Sequence, residues 1–282
     1  MRLTNFKLCA DDYGVSPAVS LGIRTALAAG RLSATSAITT QPSWGEAARA
    51  IAPLRAHAEI GLHLNLTLGR PLSPMAQFAP HHFPSIRTIM SRAHRHDLPE
   101  AEIRTEIARQ LDAFEQAMGC APDFVDGHQH VHSIMPIRLW LLEDLSKRQL
   151  PDHFWIRDSG DALWRILWRG TQWSKALMVS FLARHFARDC SEFGFMTNGS
   201  FAGFSAFNVG SDYRTEFAAA LRAAGPRHLI MCHPGHVDDE LAALDPVLVT
   251  RETELAFLLS DDFTKMLAAK DMRLMQRGDE WA

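Results

Sequence analysis

Closely spaced cysteines are missing from this chain: Cys9, Cys120, Cys190 and Cys232 stand far apart, with no C-x-x-C among them. That excludes a zinc knuckle or a dense disulfide framework, so the four read as core thiols in a reducing compartment. An excess of basic charge is missing too. With 29 Lys and Arg against 32 Asp and Glu, a formal net charge of -3 and scattered cations, nothing favours nucleic acid or an acidic membrane as partner. Nor does any apolar run reach membrane length. The most aromatic stretch, ALWRILWRGTQWSKALMVSFLARHF, is broken by Arg165, Arg169 and Lys175, and reads as a long helix weakened at Gly170. The start, MRLTNFKLCADD, runs straight into a strand candidate and leaves no room for a leader. A cytoplasmic protein without a membrane span is expected.

What is present is an ordinary globular composition, 47% hydrophobic and 22% charged, enough to build a sizeable core. Punctuation is regular. Ser16, Pro17 and Gly30 bracket a first helix, Ser43 and Glu46 have capping-box spacing, and EAEIRTEIARQLDAFEQAMG carries Ile103, Ile107, Leu111, Phe114 and Met118 on one face. Strand candidates KLCADDYG, SATSAITT, AEIGLHLNL, PDFVDGHQHVH, HFWIRDSG, FGFMTNGSF and RHLIMCHPGH alternate with helix candidates along the whole length, the last of them RETELAFLLSDDFTKMLAAK. Such alternation predicts α/β architecture with parallel strands. Polar groups recur at strand ends: Asp11 and Asp12, His63, Asp126 with His128, Arg157, and His233. That placement favours a (β/α) barrel, irregular or with fewer than eight strands, over a doubly wound sheet. One domain over residues 1–282 is expected, with a lid insertion around residues 69–99.

Several of the fourteen histidines gather in GLHLNL, DGHQHVH and CHPGH. Imidazole and carboxylate from separate strand ends can hold a divalent metal and leave positions open for water and substrate. If HQHVH is extended, His128, His130 and His132 share a side at spacings of roughly 6.6 Å, too far for all three to bind one ion. His128 lies nearest the strand end. Each motif alone has a plainer reading: a core histidine at His63, a polar loop at HQHVH, a Pro-Gly turn at CHPGH, a solvated strand end at Asp11 and Asp12. Together they favour a metal site.

The segments ADDYGVSPAV, GLHLNLTLGRPL, DGHQHVH and MCHPGH, in that order over nearly the whole chain, resemble the motifs of the YdjC-like carbohydrate deacetylases, the chitooligosaccharide and hopanoid-associated group. The resemblance implies a barrel of the glycoside hydrolase/deacetylase type that removes acetyl groups from N-acetylated amino sugars with one divalent metal. Carried over by motif, Asp12, His63 and His128 are the ligands, Asp11 the general base and His233 the general acid. Zinc or magnesium comes first as the metal, with cobalt, manganese or nickel as alternatives. Two adjacent acids serving one site require the backbone to turn at Asp11 and Asp12, near Gly14. Asp126 is expected to orient a ligand histidine, Arg157 to hold Asp11 or contact the sugar, and His130 to lie near substrate or ligands.

Two features depart from the family pattern: Tyr13 replaces the usual phenylalanine, and residues 72–99 match no known motif. His81 and His82 read as solvated loop residues. Trp164, Trp168 and Trp173 suit packing or a homodimer contact better than a sugar platform. Two other functions compete. A metal-dependent phosphohydrolase would want more cations than Arg157 alone, and a non-catalytic metal or sugar-binding module would lack the acid or the base.

Overall fold

The computed structural model describes residues 3–208 and 210–281. Its strands are β1 (Thr4–Tyr13), β2 (Ala34–Ala37), β3 (Glu59–Leu64), β4 (Phe124–Gly127), β5 (Trp155–Ile156), β6 (Met196–Thr197), β7 (Ser200–Ala202), β8 (His228–Cys232) and β9 (Met272–Leu274). Every pairing is parallel, in the order β6-β5-β4-β3-β2-β1-β8-β7, with β9 joined to the start of β1. The two edges of that order, β6 and β7, are separated in the chain by only Asn198 and Gly199. One segment therefore pairs with β5 through its first half and with β8 through its second, so the sheet curls back on itself as an irregular barrel.

Helices cross between successive strands, as parallel pairing requires. They are α1 (Pro17–Ala28) after β1, α2 (Trp44–Ile51) after β2, α3 (Ile86–His94) and α4 (Glu100–Met118) after β3, and α5 (Ile137–Leu145) after β4. Then follow α6 (Leu163–Arg169), α7 (Trp173–Leu182) and α8 (Phe186–Glu192) after β5, α9 (Tyr213–Ala220) after β7, and α10 (Asp239–Leu244), α11 (Val249–Leu259) and α12 (Asp261–Ala269) after β8. Alternate residues of β1 divide between two cores. Phe6, Leu8 and Ala10 pack with the helices, whereas Cys9 meets Phe124, Trp155, Phe201 and Leu229 from other strands inside the curl. Phe124 and Trp155 stack there at 4.3 Å between ring centroids. Gly61 makes room for them, since a Cβ at that position would come within 2.6 Å of the Phe124 ring.

Local signals hold in several places. The Ser16 hydroxyl accepts from Val19 N at 3.3 Å with Pro17 in the first turn. The helix α4 buries Ile103, Ile107, Leu111 and Phe114 and stops at a left-handed Gly119. Four other expectations need correction. Ser43 has helical dihedrals inside a turn that begins at Gln41, so its side chain makes no cap. The tryptophan-rich helix is two helices, because Gly170 is left-handed and ends α6. Its three tryptophans are exposed, so of the two readings, packing or a homodimer contact, packing into the chain's own core does not hold. The final helix candidate also divides, at Ser260, whose extended backbone precedes two acids suited to a helix start.

The segment 69–99 is pinned along α4. Glu106 accepts from the backbone N–H groups of Leu72 and Ser73 at 3.1 and 2.8 Å, and Glu102 accepts from Phe78 N at 2.8 Å. Met75, Phe78, Phe83 and Ile89 are buried in the helical core. Among the described residues no helix is long and apolar enough to cross a membrane.

Candidate active site

The adjacent acids at the end of β1 both reach the site because the strand carries an extra residue there. Against β2, Ala10 pairs with Thr35 but Tyr13 with Ala37, so three steps on β1 oppose two on its neighbour. This is a β-bulge, which re-aims side chains that strict alternation would send to opposite faces. Asp12 itself takes the left-handed conformation, φ 69°, which acidic side chains tolerate better than most. Gly14 follows at φ 84°, where a Cβ would press on the Ile38 carbonyl at 2.8 Å. The backbone turn expected near Gly14 is thus centred on Asp12.

Three strand ends converge on one carboxylate oxygen. Among the described residues Asp12 Oδ1 has no hydrogen-bond partner, and Nε2 of His63 and of His128 lie 3.4 and 3.9 Å from it. The far side of each ring is committed elsewhere. His63 Nδ1 donates to Asp126 Oδ1 at 2.6 Å, with Ser36 Oγ at 3.0 Å, and His128 Nδ1 meets Thr67 Oγ1 at 2.7 Å. Such outer partners fix ring orientation and leave Nε2 as the free ligating atom. The segment HQHVH is not extended. It coils into a 3-10 turn with Gln129 and His130 left-handed, so only His128 of the three histidines faces Asp12. His130 packs edge-on to Phe201, 5.9 Å between centroids, and His132 donates to the Arg157 carbonyl at 2.9 Å.

Two buried arginines pair with the acids. Arg157 binds Asp11 through both guanidinium nitrogens at 2.6 Å, and its Nη2 lies 2.6 Å from Asp126 Oδ2. Arg251 of α11 bridges Asp12 Oδ2 at 2.7 Å and Asp245 Oδ2 at 2.8 Å. Burial works to raise the pKa of Asp11 and of Asp12, but Arg157 and Arg251 outweigh it and hold both well below the usual carboxylate range. Burial likewise disfavours a proton on His63, yet Asp126 and Asp12 on either side lift its pKa to about 10.

The charge count tests whether a metal fits. Asp11, Asp12, Asp126 and Asp245 are buried, against two buried guanidiniums, so with neutral imidazoles two negative charges stay uncompensated. Buried charge of one sign is costly unless something pairs it. The field that draws a proton to His63 would equally draw a divalent cation, which displaces that proton on binding. One carboxylate oxygen and two imidazole nitrogens form a donor set suited to zinc and to its first-row neighbours. Asp245 also lies within 4.8 Å of the Asp12 and His128 donor atoms.

His233, just past β8, stands beside this cluster. Burial lowers its pKa while Asp11 and Asp12 pull it upward, and its Nδ1 is buried without a partner among the described residues. Its backbone N–H donates to Glu254 at 2.6 Å, and Phe207 packs against the ring edge-on at 5.1 Å. Burial pushes the Glu254 pKa up to about 8. Reading the sequence missed Arg251, Asp245, Glu254, Ser36 and Thr67. Arg251 and Glu254 sit in a helix of ordinary amphipathic appearance, and no motif marks them.

A family model described as YdjC-like protein matches residues 6–269. Two similar proteins bear the name chitooligosaccharide deacetylase. The one from Proteus mirabilis (strain HI4320) is 32% identical over 142 residues, 50% of this chain and 55% of that protein. The one from Yersinia pestis (strain Pestoides F) is 27% identical over 269 residues, 94% of each. A solved structure from Enterococcus faecalis V583, named as a candidate cellobiose-phosphate cleavage protein, aligns over 97% of both chains with a TM-score of 0.71 and 21% identity. At that identity the likeness speaks for the fold.

Proposed function

Since the chain belongs to the YdjC-like family, we propose that it is a carbohydrate N-deacetylase, a hydrolase that removes the acetyl group from an N-acetylated amino sugar with the help of one divalent metal. The observation that carries this reading is the unpaired Asp12 Oδ1 faced by two oriented Nε2 atoms, beside Asp11 and His233. A chitooligosaccharide-like sugar or related glycoconjugate is the substrate class, by likeness to the named relatives.

Asp12, His63 and His128 would hold the metal, zinc or magnesium before cobalt, manganese or nickel. Bound there, it would polarise the acetyl carbonyl and make a water molecule acidic. The chain's own residues supply the proton transfers. Asp11 accepts the proton of the attacking water, and Arg157, gripping both of its oxygens, fixes its direction. A carboxylate so stabilised is a weak base. It takes the proton only as attack proceeds and releases it readily, which turnover requires. Asp126 keeps His63 in the tautomer that presents Nε2, and Thr67 orients the His128 ring. His233 delivers a proton to the departing amine, which leaves poorly as an anion.

Neither competing reading gains support. A phosphohydrolase needs cations for phosphate, and both Arg157 and Arg251 are engaged by carboxylates. A module without turnover has no use for an oriented Asp11 and a partnerless His233 Nδ1 beside the metal ligands.

The leaving group provides the test. His233→Ala should slow amide deacetylation of N-acetylglucosamine oligomers about 10²–10⁴-fold, the usual contribution of a positioned acid. Hydrolysis of 4-nitrophenyl acetate, whose phenolate departs without a proton, should change far less. Equal losses on both substrates, measured side by side, would remove His233 from the role of acid.

A further inference from the structure

Helices of soluble proteins bury their apolar stripe, but α6 and α7 do the reverse. On α6, Leu163, Trp164, Leu167 and Trp168 recur at i, i+1, i+4 and i+5 and face outward, with Trp164 60% and Trp168 71% exposed, while Ile166 and Arg169 are buried. On α7, Trp173, Met178 and Phe181 face outward, Phe181 at 72% exposed, while Ala176 and Val179 anchor the helix. A monomer seldom shows so much large apolar surface on one supersecondary unit without a partner for it. Tryptophan in particular suits a boundary between water and hydrocarbon.

The charges around this surface identify the partner. Residues 162–188 contain Arg165, Lys175, Arg184 and Arg188 towards the surface and Arg169 buried beneath it; Arg188 pairs with Asp189 and Glu192 just beyond, which leaves Lys175 and Arg184 without a carboxylate partner among the described residues. A single carboxylate, Asp161, serves both Arg165 and Arg169. The even charge balance of the whole chain, which argues against acidic membranes, averages over this local excess. A second copy of the same surface would set cations against cations. An anionic surface with an apolar interior complements both properties at once, with basic heads level with phosphates and aromatic rings below them.

The surface also borders the candidate active site. Lys175 Nζ lies 4.7 Å from the centroid of Phe207, the ring that packs on His233, and bonds to the Ser205 carbonyl at 2.9 Å. We propose that the α6–α7 hairpin docks this protein on anionic lipid bilayers, its outward stripes seated at the boundary between headgroups and acyl chains. The proposal stands independently of the reaction assigned to the site.

Co-sedimentation with vesicles tests it, using phosphatidylcholine mixed with phosphatidylglycerol against phosphatidylcholine alone, with tryptophan fluorescence read in parallel. The full chain should sediment with the mixed vesicles, more weakly as salt is raised, with a blue shift from the exposed tryptophans. Trp168→Ser combined with Phe181→Ser should weaken partitioning at least about tenfold, because each ring loses its apolar burial. Leu21→Ser, which alters an exposed leucine on α1, should sediment like wild type. The proposal is overturned if wild type ignores mixed vesicles, or if the double variant binds them equally well. A protein dimer dissolved by the double variant and untouched by vesicles would overturn it as well, assigning the surface to a second copy.

Discussion

Asp11→Asn should lower acetate release from N-acetylglucosamine oligomers about 10²–10⁴-fold while leaving metal binding in place. The two halves of that result separate Asp11 from its neighbour. Asp11 has both oxygens on Arg157, whereas Asp12 presents to both imidazoles an Oδ1 with no hydrogen-bond partner among the described residues. Removing the Asp11 charge therefore takes away the proton acceptor without touching a ligand. Metal content of the purified variant, measured beside its steady-state rate, checks both halves. Loss of metal together with activity would mean that the adjacent acids share the ion and that the assigned division of labour is wrong.

Arg157→Met should destabilise the fold by about 3–5 kcal/mol in urea unfolding, the typical cost of stripping one partner from a buried ion network. Arg157 is fully buried and lies against Asp11 and Asp126, and no other cation among the described residues contacts Asp11. The sign with pH follows from Asp11. Its folded pKa is depressed below the ordinary carboxylate value of about 3.9, so its stabilisation is present above that pH and fades as pH falls toward the folded value. The penalty of Arg157→Met should accordingly be full near neutral pH and shrink in acid. Arg157→Lys, which keeps the charge but not the two-pronged grip, should cost less than methionine. A penalty that does not change with pH would point to lost packing instead.

Much of this arrangement was readable from residue order, for identifiable reasons. Parallel strands joined by helices leave a repeating hydrophobic pattern, and the same topology forces strand ends onto one face, which is why Asp12, His63 and His128 are legible as neighbours despite their separation in the chain. Geometry set by tertiary packing was not legible. Strict alternation would divide Asp11 from Asp12, and the bulge that reunites them depends on register with β2, which neither segment reveals alone. His130 and His132 share a motif with His128 but do not face Asp12, because Gln129 and His130 adopt left-handed dihedrals. Arg251 and Asp245 come from the far end of the chain, and only folding brings them to Asp12. The exposure of Trp168 and Phe181 is equally invisible in sequence, since a helical stripe looks the same whether it faces the core or water.

We propose that this site is a one-metal deacetylation centre built on Asp12, His63 and His128. Its most direct test is acetate release from N-acetylglucosamine oligomers by metal-stripped protein, titrated with zinc and, separately, with magnesium. No release is expected without metal, and recovery should saturate near one ion per chain and be abolished in His63→Ala at any metal concentration tested. Full activity in the stripped protein, or recovery requiring two ions per chain, would contradict it.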